Sequence, residues 1–272
     1  MAEKKQGRKR ARKSGVAASA ARDADDVRPQ RILAIDVGGT KIKLLLKGEH
    51  EPRKVPSGKR FTAADLIQAV GDVASDWPFD AISIGYPGLV GPKGPISEPG
   101  NLGPGWLGFD FAGALGVPVK IMNDAAMQAL GSYEGGRMLF LSLGTGLGST
   151  LIADNVIVPL ELGQLPYEDG RRLGLLVGRR GLDELGKSRW REVVIDMIAS
   201  MQGAFNAEYV VIGGGNAKLL KDLPPGARCG NNLAAFRGGY RMWNLDDVET
   251  LSTEDTQGAK GPAKRPSEWR VI

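Results

Sequence analysis

Two short apolar runs, residues 31–36 and 42–46, flank the polar turn Val37, Gly38, Gly39, Thr40. That order predicts a strand, a glycine turn and a returning strand. Residues 62–76 place Leu66, Ile67, Val70 and Val73 at the spacing of a helix with one buried face. A strand over 81–85 runs into Tyr86, Pro87 and Gly88, and another is expected over 117–122, followed by a helix over 124–134. Between them, residues 89–111 hold six glycines and four prolines. They predict a long irregular loop, and such loops in compact domains are often functional.

The second half repeats the plan. Strands are expected over 138–143 and 149–153, around the turn Gly144, Thr145, Gly146, Leu147, Gly148. Residues 160–187 are polar, carry a basic cluster at Arg171, Arg172, Arg179 and Arg180, and read as irregular. A helix over 188–205 has an apolar face through Val193, Val194, Met197, Ile198 and Met201. A strand over 209–212 leads into Gly213, Gly214 and Gly215 and then a helix from about Ala217, with a last helix over roughly 231–243. Strand, glycine turn and strand thus occur once in each half, a weak internal duplication. It predicts an α/β protein with two similar lobes across a cleft: residues 31–123 for the first, and 124–245 for the second, with the last helix able to return to the first lobe.

Composition changes this picture at the ends. Residues 1–30 hold nine Lys/Arg against four acids, and residues 31–272 balance at 27 of each. The net charge of +5 therefore belongs to the tail, and the body offers no charge argument for nucleic-acid binding. The tail has almost no large apolar residue and is expected to be disordered, with contact to a polyanion as its sharper reading. It lacks the apolar stretch of a secretory signal. Residues 246–272 read as a loose C-terminal tail. No run reaches the length of a membrane span, and one cysteine, Cys229, allows no internal disulfide, which agrees with a cytoplasmic protein.

The same counts narrow the chemistry. His50 is the single histidine and lies in a charged stretch that reads as a solvated turn. One His and one Cys cannot build a Cys/His zinc site, so no zinc is expected. Carboxylates, backbone N–H groups and a metal ion remain. The turns at Gly38 and Gly39, at Gly144 to Gly148 and at Gly213 to Gly215 each leave backbone N–H groups open to a phosphate. A glycine turn taken singly is as readily a plain hairpin; three, each flanked by apolar strands, are not. None forms the P-loop pattern or a complete dinucleotide fingerprint.

Residues 35–42, Ile-Asp-Val-Gly-Gly-Thr-Lys-Ile, resemble the first phosphate motif of the actin and hexokinase superfamily, specifically of the ROK sugar kinases. Residues 141–148 resemble the second phosphate motif and residues 211–215 the adenosine motif. Residues 122–125, Met-Asn-Asp-Ala, resemble the segment carrying the catalytic aspartate. Residues 86–90 and 161–164 fall where the family has a Pro-Gly turn and a sugar-binding Glu-x-Gly-His. The resemblance runs from Arg31 to Trp243, with the motifs in family order. It is strongest to the short polyphosphate/ATP glucokinase branch, which lacks the zinc cluster of longer members.

The resemblance implies a two-lobed actin-like ATPase (ribonuclease H-like) fold and phosphoryl transfer from ATP or polyphosphate to a hexose, glucose first. Asp124 is the implied base for the acceptor hydroxyl; its ordinary alternative is a helix N-cap. Asp36 would hold Mg²⁺, through water. Gly38, Gly39, Thr40, Lys41, Gly144, Thr145 and Gly146 would cradle phosphate, and Gly213, Gly214 and Gly215 would pack on the nucleotide. Lys41 and Lys43 are as readily solvated strand lysines. Asn101, Asn123, Asp124, Glu161, Gln164 and Glu168 would face sugar hydroxyls. A homodimer is expected from the family.

The pattern departs in the sugar pocket. Gln164 replaces the usual histidine, Pro166 stands where a second Glu is expected, leaving Glu168 as its substitute, and residues 231–234 alter a family glycine turn. The catalytic and phosphate positions are kept, which favours a kinase with a shifted acceptor. The alternative is a non-catalytic sugar or nucleotide sensor. Family repressors carry an N-terminal helix-turn-helix, for which residues 1–30 are too short and polar.

Overall fold

The computed structural model describes residues 29–167, 170–231, 233–243 and 270–271. Residues 1–28 of the expected tail over 1–30, most of the C-terminal tail, and Glu168 lie outside them.

The first half builds β1 (Ile32–Val37), β2 (Lys41–Leu46), β3 (Arg53–Pro56), α1 (Ala63–Ala74), β4 (Ala81–Tyr86), the short pair β5 (Val90–Gly91) and β6 (Gly94–Pro95), α2 (Phe111–Leu115), β7 (Val119–Asn123) and α3 (Asp124–Ser132). Its five-stranded sheet has the order β3-β2-β1-β4-β7. β1 runs antiparallel to β2 and parallel to β4. All six residues of β1 are buried, as a central strand covered on both faces requires. Because successive side chains alternate, Leu33, Ile35 and Val37 enter the core beneath Leu66 and Val70 of α1, while Ala34 packs with Leu45 and Phe236. Asp36 shares the Ala34 face.

The second half adds β8 (Arg137–Leu143), β9 (Leu147–Ala153), β10 (Val156–Leu160), α4 (Leu173–Val177), α5 (Arg179–Ala204), β11 (Tyr209–Gly213), β12 (Ala227–Cys229), α6 (Ala234–Arg241) and β13 (Arg270–Val271). The sheet order is β12-β11-β8-β9-β10-β13. In both sheets the first strand of the half has its hairpin partner on one side and a parallel strand on the other. This is the duplication read from the glycine turns. α3 packs on strands of both sheets, and α6 returns from the end of the chain to α3, β1 and β4. Small residues allow that crossing: a Cβ on Gly131 would meet the Ala234 carbonyl, and one on Gly238 would meet the Met127 carbonyl.

Three expectations are corrected. Residues 160–187 are not irregular: they form a 3-10 turn at Leu162–Gln164, α4 and the start of α5. Arg179 and Arg180 pair one turn on with Asp183 and Glu184, which supports a helix that periodicity alone does not reveal. Gly186, at φ 72, kinks it. The helix from Ala217 is a single 3-10 turn, Ala217–Leu219, because Pro224 and Pro225 forbid continuation. Residues 270–271 are a strand on β10 instead of loose chain.

Candidate active site

Asp36 lies opposite Lys43 on β2 and Gly85 on β4, and Gly85 lies opposite Met122 on β7. Two residues beyond Met122 the chain turns into α3 at Asp124. The two carboxylates therefore sit at the carboxyl ends of strands separated only by β4, where ligands gather in open α/β sheets. Gly85 makes this approach feasible: a Cβ there would stand 2.5 Å from Met127 Cε and 3.5 Å from Asp124 Cα.

Asp124 is not the N-cap. Asn123 takes that place, its Oδ1 accepting from Ala126 N at 3.1 Å, while its Nδ2 donates to the Gly88 carbonyl at 3.1 Å. Asn123 is thus engaged in fixing the Pro-Gly turn to the start of α3, which limits what it can offer a sugar. Asp124, the first helical residue, accepts from Ala125 N at 2.8 Å through Oδ1. Burial pushes its carboxyl up to about 7, and the charge of Asp36 adds to this. The N–H groups of Ala125 and Asp124 oppose it, and Glu161 adds a smaller push. Glu161, the residue that follows β10, is therefore within electrostatic reach of Asp124.

Asp36 keeps 12% of its side-chain surface exposed, and its Oδ2 accepts from Lys43 Nζ at 2.8 Å. Lys43 is therefore a partner of Asp36. Lys41, two residues nearer the hairpin tip on the same strand, is exposed. Among the described residues no three His, Cys, Asp or Glu side chains form a metal-binding group. The donor set fits a Mg²⁺ ion held by one carboxylate, water and phosphate oxygens, and does not fit an all-protein cage.

The glycine turns are close-packed. A Cβ on Gly39 would stand 2.5 Å from Asn101 Nδ2, so the Asn101 loop rests on the first glycine turn. Ser57, beyond β3, donates through Oγ to the Gly38 carbonyl at 2.7 Å. In the second turn, Gly144 N donates to the Gly146 carbonyl at 3.1 Å, and Arg179 N donates to the carbonyls of Gly144 and Thr145. Gly148 faces Ala125, with only 3.1 Å for a Cβ, which sets this turn beside the start of α3. The third turn folds onto the second. Asn216 donates from N to the Leu143 carbonyl at 3.0 Å and from Nδ2 to the Gly144 carbonyl at 3.1 Å. Gly214, at φ 83, leaves no room for a Cβ beside the Leu143 backbone.

Glu161, which precedes the 3-10 turn, and Gln164, which ends it, are exposed, while Leu162 between them is buried. Ser149 fixes the turn, donating to the Leu160 carbonyl at 2.8 Å and accepting from Leu162 N at 3.1 Å. Glu98 accepts from the N–H groups of Gly105 and Trp106 at 3.1 and 3.2 Å, closing the loop that presents Asn101. Sequence reasoning missed Gly85, Ser57, Glu98, Ser149 and Asn216. Only Lys43 had a usable signal, since a hairpin turning at Gly39 and Thr40 puts it opposite Asp36.

Residues 32–159 match the model of the ROK family. The chain is 26% identical over 242 residues to the polyphosphate glucokinase of Mycobacterium leprae, covering 80% of this chain and 71% of that one. It is 33% identical over 144 residues to the N-acetylmannosamine kinase of Vibrio vulnificus, covering 45% and 47%. The crystal structure of the inorganic polyphosphate/ATP-glucomannokinase from Arthrobacter sp. strain KM superposes with a TM-score of 0.66 at 24% identity, covering 81% of this chain and 99% of that one. Residues 32–159 are thus a ROK family region, carried in a chain with the actin-like fold of the ROK sugar kinases.

Proposed function

We propose that this chain is a sugar kinase that moves a phosphoryl group from ATP or inorganic polyphosphate to a hexose hydroxyl, with glucose the first acceptor to test. The observation that carries this is Asp124: a half-buried carboxyl at the first residue of α3, beside the second glycine turn and one strand away from Asp36, with its pKa pushed up to about 7. A base of that pKa is half-ionised near neutrality and holds its proton strongly enough to take one from a hydroxyl in the transition state.

The residues divide the work that phosphoryl transfer requires. The turn over Gly38, Gly39 and Thr40 on one lobe and that over Gly144, Thr145 and Gly146 on the other hold the donor phosphates through the backbone N–H groups they leave open; those of Gly38 and Gly144 close the turns themselves. Gly213, Gly214 and Gly215 pack against the nucleotide when ATP is the donor. The third turn opens a 3-10 turn, so no helix dipole assists it there. Asp36 would hold Mg²⁺, which neutralises charge on the donor. Asn101, Glu161 and Gln164 orient the acceptor, and Asp124 takes the proton of the attacking hydroxyl as the bond to phosphorus forms. Gln both donates and accepts where a histidine is usual, so a hexose can still be held.

The test is phosphoryl transfer by purified protein with Mg²⁺, crossing ATP and polyphosphate against glucose, mannose and N-acetylated amino sugars. Turnover that disappears in D124N supports the reading, and the preferred acceptor names the pocket. Sugar binding without turnover on any pair would instead identify a sensor.

A further inference from the structure

Ser57 follows β3 and takes two of the three carbonyls of the first phosphate turn, those of Gly38 and Thr40. Its Oγ donates to the Gly38 carbonyl at 2.7 Å, and its backbone N donates to the Thr40 carbonyl at 3.1 Å. A trans peptide unit is planar, with its C=O and the following N–H pointing in opposite directions. Fixing the Gly38 carbonyl therefore fixes the Gly39 N–H, and fixing the Thr40 carbonyl fixes the Lys41 N–H. Because one residue holds both carbonyls, both N–H groups turn to the side away from Ser57. The Gly38 N–H is already spent on the Lys41 carbonyl at 3.1 Å, so these two matter for any anion the turn receives. The turn cannot readily relax toward the acceptor loop, since Asn101 fills the space beside Gly39.

From this geometry we propose that Ser57 is the positioning residue of the donor-phosphate turn, aiming the Gly39 and Lys41 N–H groups together at the donor. The inference rests on reading residues 38–40 as a donor cradle, as above. Ser57 touches neither substrate; it acts through the peptide planes. Preorganised N–H groups are effective because they need not reorient as charge develops, and a freely rotating peptide loses that advantage. The backbone bond from Ser57 N survives substitution, so S57A frees one peptide plane and leaves the other held.

The experiment compares wild type, S57A and S57T by steady-state kinetics and by calorimetric titration with glucose and with Mg²⁺–tripolyphosphate. For S57A the expected result is a donor KM raised at least fivefold and kcat lowered about tenfold. Glucose affinity should stay within twofold, and S57T should recover most of the loss because it restores the hydroxyl. Donor parameters within twofold of wild type in S57A would overturn the proposal. So would an equal loss of donor and glucose affinity that S57T fails to recover, which is the mark of a merely structural residue. If the wild type transfers no phosphoryl group, the kinase reading fails by itself. Tripolyphosphate binding then still decides this one: at least fivefold weaker in S57A supports it, and equal binding, or none by the wild type, overturns it.

Discussion

At the scale of single residues, the proposed site depends on two carboxylates at neighbouring strand ends, Asp36 buried and Asp124 half-buried. Burial and the charge of Asp36 hold Asp124 at about 7, so kcat/KM should rise about tenfold per pH unit below that value and level off above it. D124N should lower kcat by roughly a hundredfold to ten-thousandfold. The same substitution tests the cost of the site. A carboxyl whose folded pKa lies above its unfolded value favours folding fully at low pH and loses that contribution as pH rises through about 7. D124N should therefore unfold at a higher temperature than wild type at pH 8, by about 1–3 kcal/mol of stability, and at nearly the same temperature at pH 4. Lys43 moderates this balance by pairing with Asp36. K43M leaves that charge uncompensated, so the acid limb of the pH–rate curve should move up by roughly half to one pH unit. A limb that stays in place would show that Asp36 does not act on Asp124.

At the scale of elements, the turns do more than connect strands. Gly214 combines a positive φ with contact to the Leu143 backbone, whereas Gly215 faces open space. G214A should cost about 1–2 kcal/mol and raise the KM for ATP with little change for the sugar, and G215A should be nearly neutral in thermal unfolding. The elements legible in the sequence were those with one dominant signal. β1 and β2 announce themselves by apolar runs around two glycines, and α1 by its spacing, to which the structure adds a Thr62–Asp65 capping box. α4 and the start of α5 were not legible. Their stability comes from contacts such as Gly163 on Gly174 and from paired arginines, which a periodicity count reads as polarity. After Gly215 the apolar pattern suggested a helix, and two prolines a few residues later ended it.

At the scale of the whole molecule, the two sheets are alike in plan but not independent. α3 belongs to both cores, and α6 supplies Phe236 to the far face of β1 and β2. Arg241 is buried and donates to the carbonyls of Leu130 and Tyr133 at the end of α3. Ser83 donates to the Gly239 carbonyl at 2.6 Å and accepts from Trp243 Nε1 at 2.8 Å, tying the last helix to β4. Residues 29–133 alone would expose the Ala34 and Leu45 face. They are expected to lack a cooperative thermal transition by circular dichroism, and a sharp transition in that fragment would show that the first lobe folds without α6.

The amino-acid sequence by itself determined the α/β class, the repeated hairpin plan and the positions of Asp36, Asp124 and the three glycine turns. The class and the plan rest on local chemistry, apolar runs and backbone freedom at glycine, and the two aspartates stand out through the resemblance of residues 35–42 and 122–125 to ROK motifs. Tertiary structure decided how deeply each carboxylate sits and that Lys43 pairs with Asp36. It also decided that Asn123 and not Asp124 caps the helix, and which hydroxyls hold the loops. Those outcomes depend on atoms distant in sequence meeting at hydrogen-bond range. Ser57 lies 19 residues from Gly38 and Ser83 lies 156 from Gly239, and the sequence pattern at either position gives no sign of its partner.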